Sequence, residues 1–319
     1  MAENDKTNDR LFLGIILVLF STLFTASQEA TFKFASADMS VWQIFVLRSA
    51  FLIPIFMIIA AVWGQGAGLW REALKFWPMV RATLFVLMHF ATYAAIPFLE
   101  LSVIGAGLYT APLFVAVLTP LLLQEQLSGG VFLAVLFGFC GVLVILQPGT
   151  AAFDWMVLVP VMGGLCYALS GLVVRRHLRE TRPTALALSL AIALLITGLV
   201  ISSGLWLLSP SQEIVNTAPF LLSGWAALNG QSWIIIALVT LLMVGNGIVQ
   251  PAAYQAAPTV VVATFDYCFL IFLTLIGFVV FNEVPGPSVI IGMGMIAGAG
   301  LLIVRLTQRS SERPPASNS

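Results

Sequence analysis

Val173-Val174-Arg175-Arg176-His177-Leu178-Arg179-Glu180-Thr181-Arg182 is a dense basic stretch in a chain that is otherwise nearly free of charge. An apolar run precedes it and another follows it. Reading outward from it, the 319 residues divide into ten apolar spans, at 11–34, 41–63, 76–98, 103–124, 130–147, 154–174, 184–207, 232–250, 259–281 and 287–306. Twelve of the fourteen Lys and Arg then fall at one membrane face. They are Lys6 and Arg10, then Arg71, Lys75 and Arg81, then the four arginines of the opening stretch, then Arg305, Arg309 and Arg313. An excess of Lys and Arg in loops marks the cytoplasmic side. Both termini are therefore expected in the cytoplasm. The Ser209–Gln231 connection, which has no Lys or Arg, is expected outside. Five spans in each half give the two halves opposite orientations.

Composition agrees with that class. Apolar residues make up 60% of the chain and charged residues 9%, with a mean hydropathy of +1.03. A soluble domain keeps roughly a quarter of its residues charged, whereas runs of ~20 apolar residues match a bilayer core. Zero net charge points away from nucleic acid. Cys140, Cys166 and Cys268 lie within spans without metal-ligand spacing, so no metal and no cofactor are expected. The first apolar run is too long for a signal-peptide core and reads as a retained helix. The polar ends, 1–10 and 307–319, read as disordered cytoplasmic tails. Tryptophans near span ends suit anchors at headgroup level.

An internal repeat divides the remainder. A shift of 158 places Tyr109 on Tyr267 and Glu125 on Glu283, and the 105–148 pattern of helix, Glu-containing turn and Gly-rich helix recurs over 263–305. A shift of about 143 aligns the first spans of each half. The two repeats occupy 11–149 and 150–306. Inverted five-helix repeats are a pattern of secondary transporters.

With these residues in hand, the chain resembles the drug/metabolite transporter superfamily, in the branch with two EamA-type repeats. Three segments carry the resemblance: Glu29, Lys33 and Arg48 across the first two spans; Pro120, Glu125 and the run Gly138–Gly149; and AYQAAPTVVVATFDYCFL from Ala253, followed by Glu283-Val284-Pro285. Thr264 stands where such relatives often have Pro. The resemblance covers nearly the whole chain. It implies an all-α integral membrane protein of ten transmembrane helices in two inverted repeats around a central cavity, lined by spans 1, 3, 4, 6, 8 and 9. It carries little information on substrate.

Ionisable side chains inside a span cost ~3 kcal/mol on insertion scales and by default face a cavity or a partner. Glu29 and Lys33 share a face of span one at i, i+4, and Arg48 enters span two at similar depth. The three form either an ion pair fixing two helices or a gate near the outer mouth. Asp266 has no Lys or Arg within four positions. It reads as a group that binds a substrate amine or exchanges a proton, or as one bonded to Asn246, Gln250 or a tyrosine. His89 and Tyr93 form one polar stripe at i, i+4. Tyr109, Tyr167, Tyr254 and Tyr267 sit within or beside spans, where they either pack or wall a cavity suited to a flat or cationic ligand. Glu125 and Glu283 read as turn residues. Pro97, Pro112, Pro120, Pro160, Pro251 and the Gly245-Asn246-Gly247 triplet read as helix interruptions beside a cavity. Gly-rich spans five and ten read as close-packing surfaces, suited also to a dimer face.

Together these place substrate contacts at Asp266, Tyr267, Tyr109, His89, Tyr93, Asn246 and Tyr167, and a gate or ion pair at Glu29, Lys33 and Arg48. The leading expectation is alternating-access transport of a small amino acid or amine-bearing zwitterion across the inner membrane. Export is preferred because many members of the resembled family export such compounds. The alternative is import or exchange of a flat vitamin- or nucleoside-like metabolite. A channel or a non-transporting scaffold is the alternative of another class. No phosphate-binding loop is present, so ATP is not expected to drive it, and no catalytic motif marks it as an enzyme. Proton or exchange coupling, contact with membrane lipid, and a monomer or homodimer complete the expectations.

Overall fold

The structure, a computed structural model, describes residues 2–35, 38–95, 98–99, 101–108, 110–124, 128–147, 155–282, 284 and 286–312. Among them there is no strand. The helices are α1 (Ala2–Ala35), α2 (Val41–Val62), α3 (Leu69–Ala73), α4 (Phe76–Ala95), α5 (Leu101–Leu108), α6 (Ala111–Leu123), α7 (Gly129–Leu146), α8 (Leu158–His177) and α9 (Pro183–Leu208). The remainder are α10 (Gln212–Thr217), α11 (Pro219–Leu222), α12 (Gly230–Ala256), α13 (Thr259–Phe265), α14 (Cys268–Phe281) and α15 (Pro287–Glu312). A 3₁₀ turn at Trp155–Val157 leads into α8.

Among the described residues, six stretches are long and apolar enough to cross a bilayer: Leu11–Ala35, Val41–Val62, Trp155–His177, Pro183–Leu208, Gly230–Ala256 and Val261–Val280. Ala111–Leu123 and Gly129–Ile145 are apolar but shorter. Together with the exposed leucines, isoleucines and phenylalanines along the helices, this is the surface of an integral membrane protein.

Local chemistry sets the helix ends. Ser40 and Ser128 cap α2 and α7 through their hydroxyls, and Asn229 with Ser232 forms a capping box on α12. Gln124 and Asn282 close α6 and α14 in the left-handed region, at φ 56° and 55°. They are separated by the same shift of 158 found in the sequence.

Several expectations need correction. α1 begins at Ala2 and α15 runs to Glu312, so the parts of both polar tails that are described are helical. Neither contains a Pro or Gly to stop the helix. The long connection is not a bare loop: α10 and α11 form within it. The Trp42 indole donates to the Leu221 carbonyl (2.6 Å), and the Gln43 amide both donates to and accepts from Ala226 (2.8 and 3.0 Å). Phe220 is thereby buried against Phe32 and Tyr93.

α12 passes unbroken through Gly245, Gly247 and Pro251. Those glycines give close packing rather than looseness, since a Cβ at Gly245 would lie 2.8 Å from the Phe24 ring. The Gly-rich α7 and α15 pack on each other, and a Cβ at Gly292 would stand 2.6 Å from the Gly141 carbonyl. Pro97, Glu125 and Glu283 lie outside the described residues.

The dominant packings are α1 with α12, α4 with α8, α2 with α9, and α7 with α15; α1 also packs on α14. Expected spans four and nine each contain a tightened turn. Thr110, at φ −69° and ψ −10°, separates α5 from α6. Asp266 and Tyr267, at φ −57° with ψ −26° and −24°, separate α13 from α14. These last angles are those of a 3₁₀ helix, and the Tyr267 N–H bonds to the Thr264 carbonyl in the i→i+3 manner. A mid-helix 3₁₀ turn often marks a hinge.

Candidate functional site

A cavity opens between α1, α4, α8 and α12, with Leu108 of α5 and Leu190 of α9 completing it. α1 contributes Thr25, Gln28 and Glu29, spaced so that they share one face of the helix. α4 contributes Arg81, Phe85, Met88 and His89, again about one turn apart. α12 brings Met243, Asn246, Gly247 and Gln250, and α8 brings Tyr167.

Arg81 is buried, at 1% exposure. Nη1 donates to the Leu186 carbonyl (3.2 Å) and Nη2 to Gln250 Oε1 (2.8 Å), while its guanidinium carbon lies 4.7 Å from the Phe85 ring centroid. Because a guanidinium only donates, Gln250 must turn its oxygen toward Arg81. Arg81 Nε and Gln28 Oε1 are left buried without a hydrogen-bond partner. Buried polar atoms are normally satisfied, so unpaired ones in a cavity wall are candidates for ligand contact. Sequence reasoning had placed Arg81 among the cytoplasmic-face markers. The structure makes it part of the cavity instead.

Three rings wall the space. Phe85 meets Tyr167 edge to face (centroids 5.7 Å, 85°) and lies 6.3 Å from His89. His89 Nδ1 is 2.7 Å from the Phe85 carbonyl, so in the neutral ring Nδ1 carries the hydrogen and Nε2 is the acceptor. Asn246 lines the cavity but is already used: it accepts from the Ser21 hydroxyl (2.7 Å) and donates to Thr25 Oγ1 (3.1 Å), clasping α12 to α1.

Asp266 is at 1% exposure and is not part of the cavity wall. Its Oδ2 accepts from the hydroxyls of Tyr167 (3.0 Å) and Tyr254 (2.8 Å), while Oδ1 has no partner. Of the groups expected to hold it, the tyrosines do so and Asn246 does not. Tyr167 therefore faces the cavity and holds Asp266 behind it. Tyr267 is fully buried in the next position with its hydroxyl unpaired.

The Glu29, Lys33 and Arg48 set does not form one hydrogen-bonded cluster. Glu29 is in the cavity wall and Lys33 is half-buried in the last turn of α1. Arg48 is wholly buried between Phe32 and Phe45, at 5.2 and 4.7 Å from their centroids, and none of its nitrogens has a hydrogen-bond partner. Tyr93 packs on Phe32 at 5.0 Å and on His89 at 5.8 Å, with its hydroxyl unpaired. Of the expected contact residues, His89, Tyr167 and Asn246 line the cavity, Asp266, Tyr267 and Tyr93 lie behind its wall, and Tyr109 falls outside the described residues. Gln28, Thr25, Phe85, Arg81 and Gln250 were missed as contacts. The available signal was amides and a guanidinium at helical spacing on spans one, three and eight.

Among the described residues no group of three or more His, Cys, Asp or Glu could hold a metal ion.

No protein-family model matches the chain. A riboflavin transporter of Rhizobium johnstonii is 26% identical over 306 residues, covering 95% of this chain and 93% of that protein. A riboflavin transporter of Vibrio cholerae is 26% identical over 215 residues, 65% of this chain and 64% of that one. An S-adenosylmethionine uptake transporter of Rickettsia prowazekii is 20% identical over 300 residues, 93% of this chain and 94% of that protein. A crystal structure aligns with TM-score 0.68 and 16% identity, over 94% of this chain and 99% of that chain, which speaks for the fold. Six apolar helices and near full-length transporter relatives support a multi-pass membrane transporter acting on a small molecule.

Proposed function

We propose that this chain is a secondary transporter that takes up a flat, vitamin-like heterocycle, with riboflavin as the first compound to test. The observation that carries this reading is the cavity itself. Phe85, Tyr167 and His89 offer ring surfaces, and Arg81 Nε is a buried donor still without a hydrogen-bond acceptor. A planar ring system with carbonyl groups on its edge uses both features, because rings stack and carbonyls accept. The uptake and riboflavin names of the relatives favour this reading over export of an amino acid or amine, which was the first expectation from sequence.

The architecture in this reading is a ten-helix permease of the drug/metabolite transporter type with two EamA-like inverted repeats, at 11–149 and 150–306, and both termini in the cytoplasm of an inner-membrane protein. The helix pairings support it. Counting α5 with α6, and α13 with α14, as one crossing each, the pairing of the first crossing with the eighth exchanges with that of the third and sixth when the halves are swapped. The pairing of the first with the ninth likewise exchanges with that of the fourth and sixth. The second with the seventh, and the fifth with the tenth, map onto themselves. The halves would rock about the cavity and expose it to each side in turn.

Binding of riboflavin to the purified chain tests this reading, with S-adenosylmethionine and a set of amino acids as competitors. Saturable riboflavin binding displaced by neither competitor supports it. Displacement of the probe by amino acids alone would restore the amine-export reading.

A further inference from the structure

We propose that Asp266 carries the coupling proton of the transport cycle and that Tyr167 passes its protonation state to the substrate cavity. The inference rests on the cavity reading above and extends it to the driving force.

The geometry has three parts. Asp266 lies on the tightened turn between α13 and α14, a place where backbone can flex. Two tyrosine hydroxyls donate to the same oxygen, Oδ2, and leave Oδ1 unpaired. One of those tyrosines, Tyr167, is also a wall of the cavity. Of the two described partners of Asp266, Tyr167 is the one that also lines the cavity.

Among the described residues, the groups around Asp266 bring no competing charge into contact with it. Tyr167 faces it from α8 and Tyr254 from α12, while Tyr267 and Cys268 follow it in its own turn. Arg81 of α4 interacts electrostatically with both tyrosines. α6 has no ionisable residue, the 11–28 stretch of α1 has none, and α15 has none before Arg305.

The proton balance is simple. An O–H bond forms at Oδ1 with a proton from one compartment and breaks with release to the other; nothing is oxidised or reduced. While the carboxylate is ionised, it holds the Tyr167 hydroxyl strongly, as charge-assisted hydrogen bonds do. Once protonated, it holds that hydroxyl less strongly, and the balance at Tyr167 shifts toward donation to a substrate in the cavity. Proton and substrate therefore favour each other's binding, and by linkage the factor is the same in both directions. Such coupling yields symport.

The test uses the full chain reconstituted in liposomes with radiolabelled riboflavin as probe, comparing the native chain with Asp266→Asn. Two modes are measured: accumulation driven by an imposed acid-outside gradient, and counterflow into liposomes preloaded with riboflavin at equal pH. The proposal expects the native chain to accumulate probe under the gradient and Asp266→Asn to lose that accumulation by on the order of tenfold or more while keeping counterflow. Gradient-driven accumulation by Asp266→Asn equal to native would overturn it.

If the native chain does not move riboflavin in either mode, the substrate reading falls on its own, and infrared titration of the purified chain decides the proton claim. A carboxylic acid carbonyl band that titrates with pH and is absent from Asp266→Asn upholds it; an identical titration in both proteins overturns it. Should Asp266→Asn not fold, Tyr167→Phe keeps the carboxyl and removes the relay. It is expected to bind probe with an affinity that no longer varies with pH, and an unchanged pH dependence would count against the proposal.

Discussion

Arg81 on α4 donates from Nη2 to Oε1 of Gln250 on α12 at 2.8 Å, a bond between residues 169 apart that ties the two halves of the sequence together in the cavity wall. It engages the acceptor of Gln250 and leaves Arg81 Nε buried without a hydrogen-bond partner. Gln250→Ala removes the acceptor from a buried cation, and a hydrogen bond to a charged group contributes roughly 1.5–3 kcal/mol. Thermal unfolding in detergent is expected to show a loss of that size, accompanied by weaker riboflavin binding. Arg81→Lys keeps the charge but loses the forked geometry and is expected to bind riboflavin more weakly still. An unchanged affinity in both variants would remove this pair from the site.

Gly171 of α8 lies against Tyr254, and a Cβ there would come within 2.6 Å of the ring. Gly171→Ala should therefore displace Tyr254 and its hydrogen bond to Asp266. Overpacking of this kind costs roughly 1–3 kcal/mol. The expected result is a lower unfolding temperature with an altered pH dependence of uptake. Tyr254→Phe should reproduce the change in pH dependence with a smaller loss of stability.

Phe220 anchors the 209–229 connection over the Phe32–Tyr93 ring cluster, at 6.5 and 5.9 Å between centroids. Phe220→Ala removes a buried ring, a change that costs ~3 kcal/mol or more in a packed core. Limited proteolysis should cut the variant within 209–229 well before the native chain. Equal protection would mean that the Trp42 and Gln43 hydrogen bonds hold the segment alone.

Orientation is tested by single cysteines at two exposed positions, Ser211 and Glu180. In intact cells a membrane-impermeant thiol reagent is expected to label Ser211→Cys and to reach Glu180→Cys only after permeabilisation. The reverse pattern would invert the proposed topology.

Much of the helical layout was legible because hydropathy reports it directly: 41–62, 155–177 and 183–208 needed no tertiary information. The basic stretch at 173–182 also has local work that sequence could not reveal. Arg182 binds Glu72 and the Gln65 carbonyl, Arg176 reaches the Leu122 carbonyl, and His177 stacks on Trp77 at 3.7 Å.

The cavity was only partly legible. His89, Asn246 and Tyr167 stood out as polar or aromatic groups within spans. Gln28 and Gln250 are uncharged and scarcely perturb a hydropathy profile, and Arg81, five residues into α4, was absorbed into the loop-charge pattern. Asp266 was visible as a lone carboxyl, but only its partners place it behind Tyr167 instead of in the wall. A one-dimensional pattern fixes depth along a helix more readily than which neighbour a side chain meets.

The most direct test of the account is accumulation of radiolabelled riboflavin by intact cells producing the native chain or Arg81→Gln at matched membrane levels. The account predicts saturable uptake with the native chain and a loss on the order of tenfold or more with the variant, the size expected when a charged hydrogen bond in a site is removed. Uptake no greater than in cells without the protein, or equal uptake by native and variant, would contradict the claim that this cavity carries a flat heterocycle.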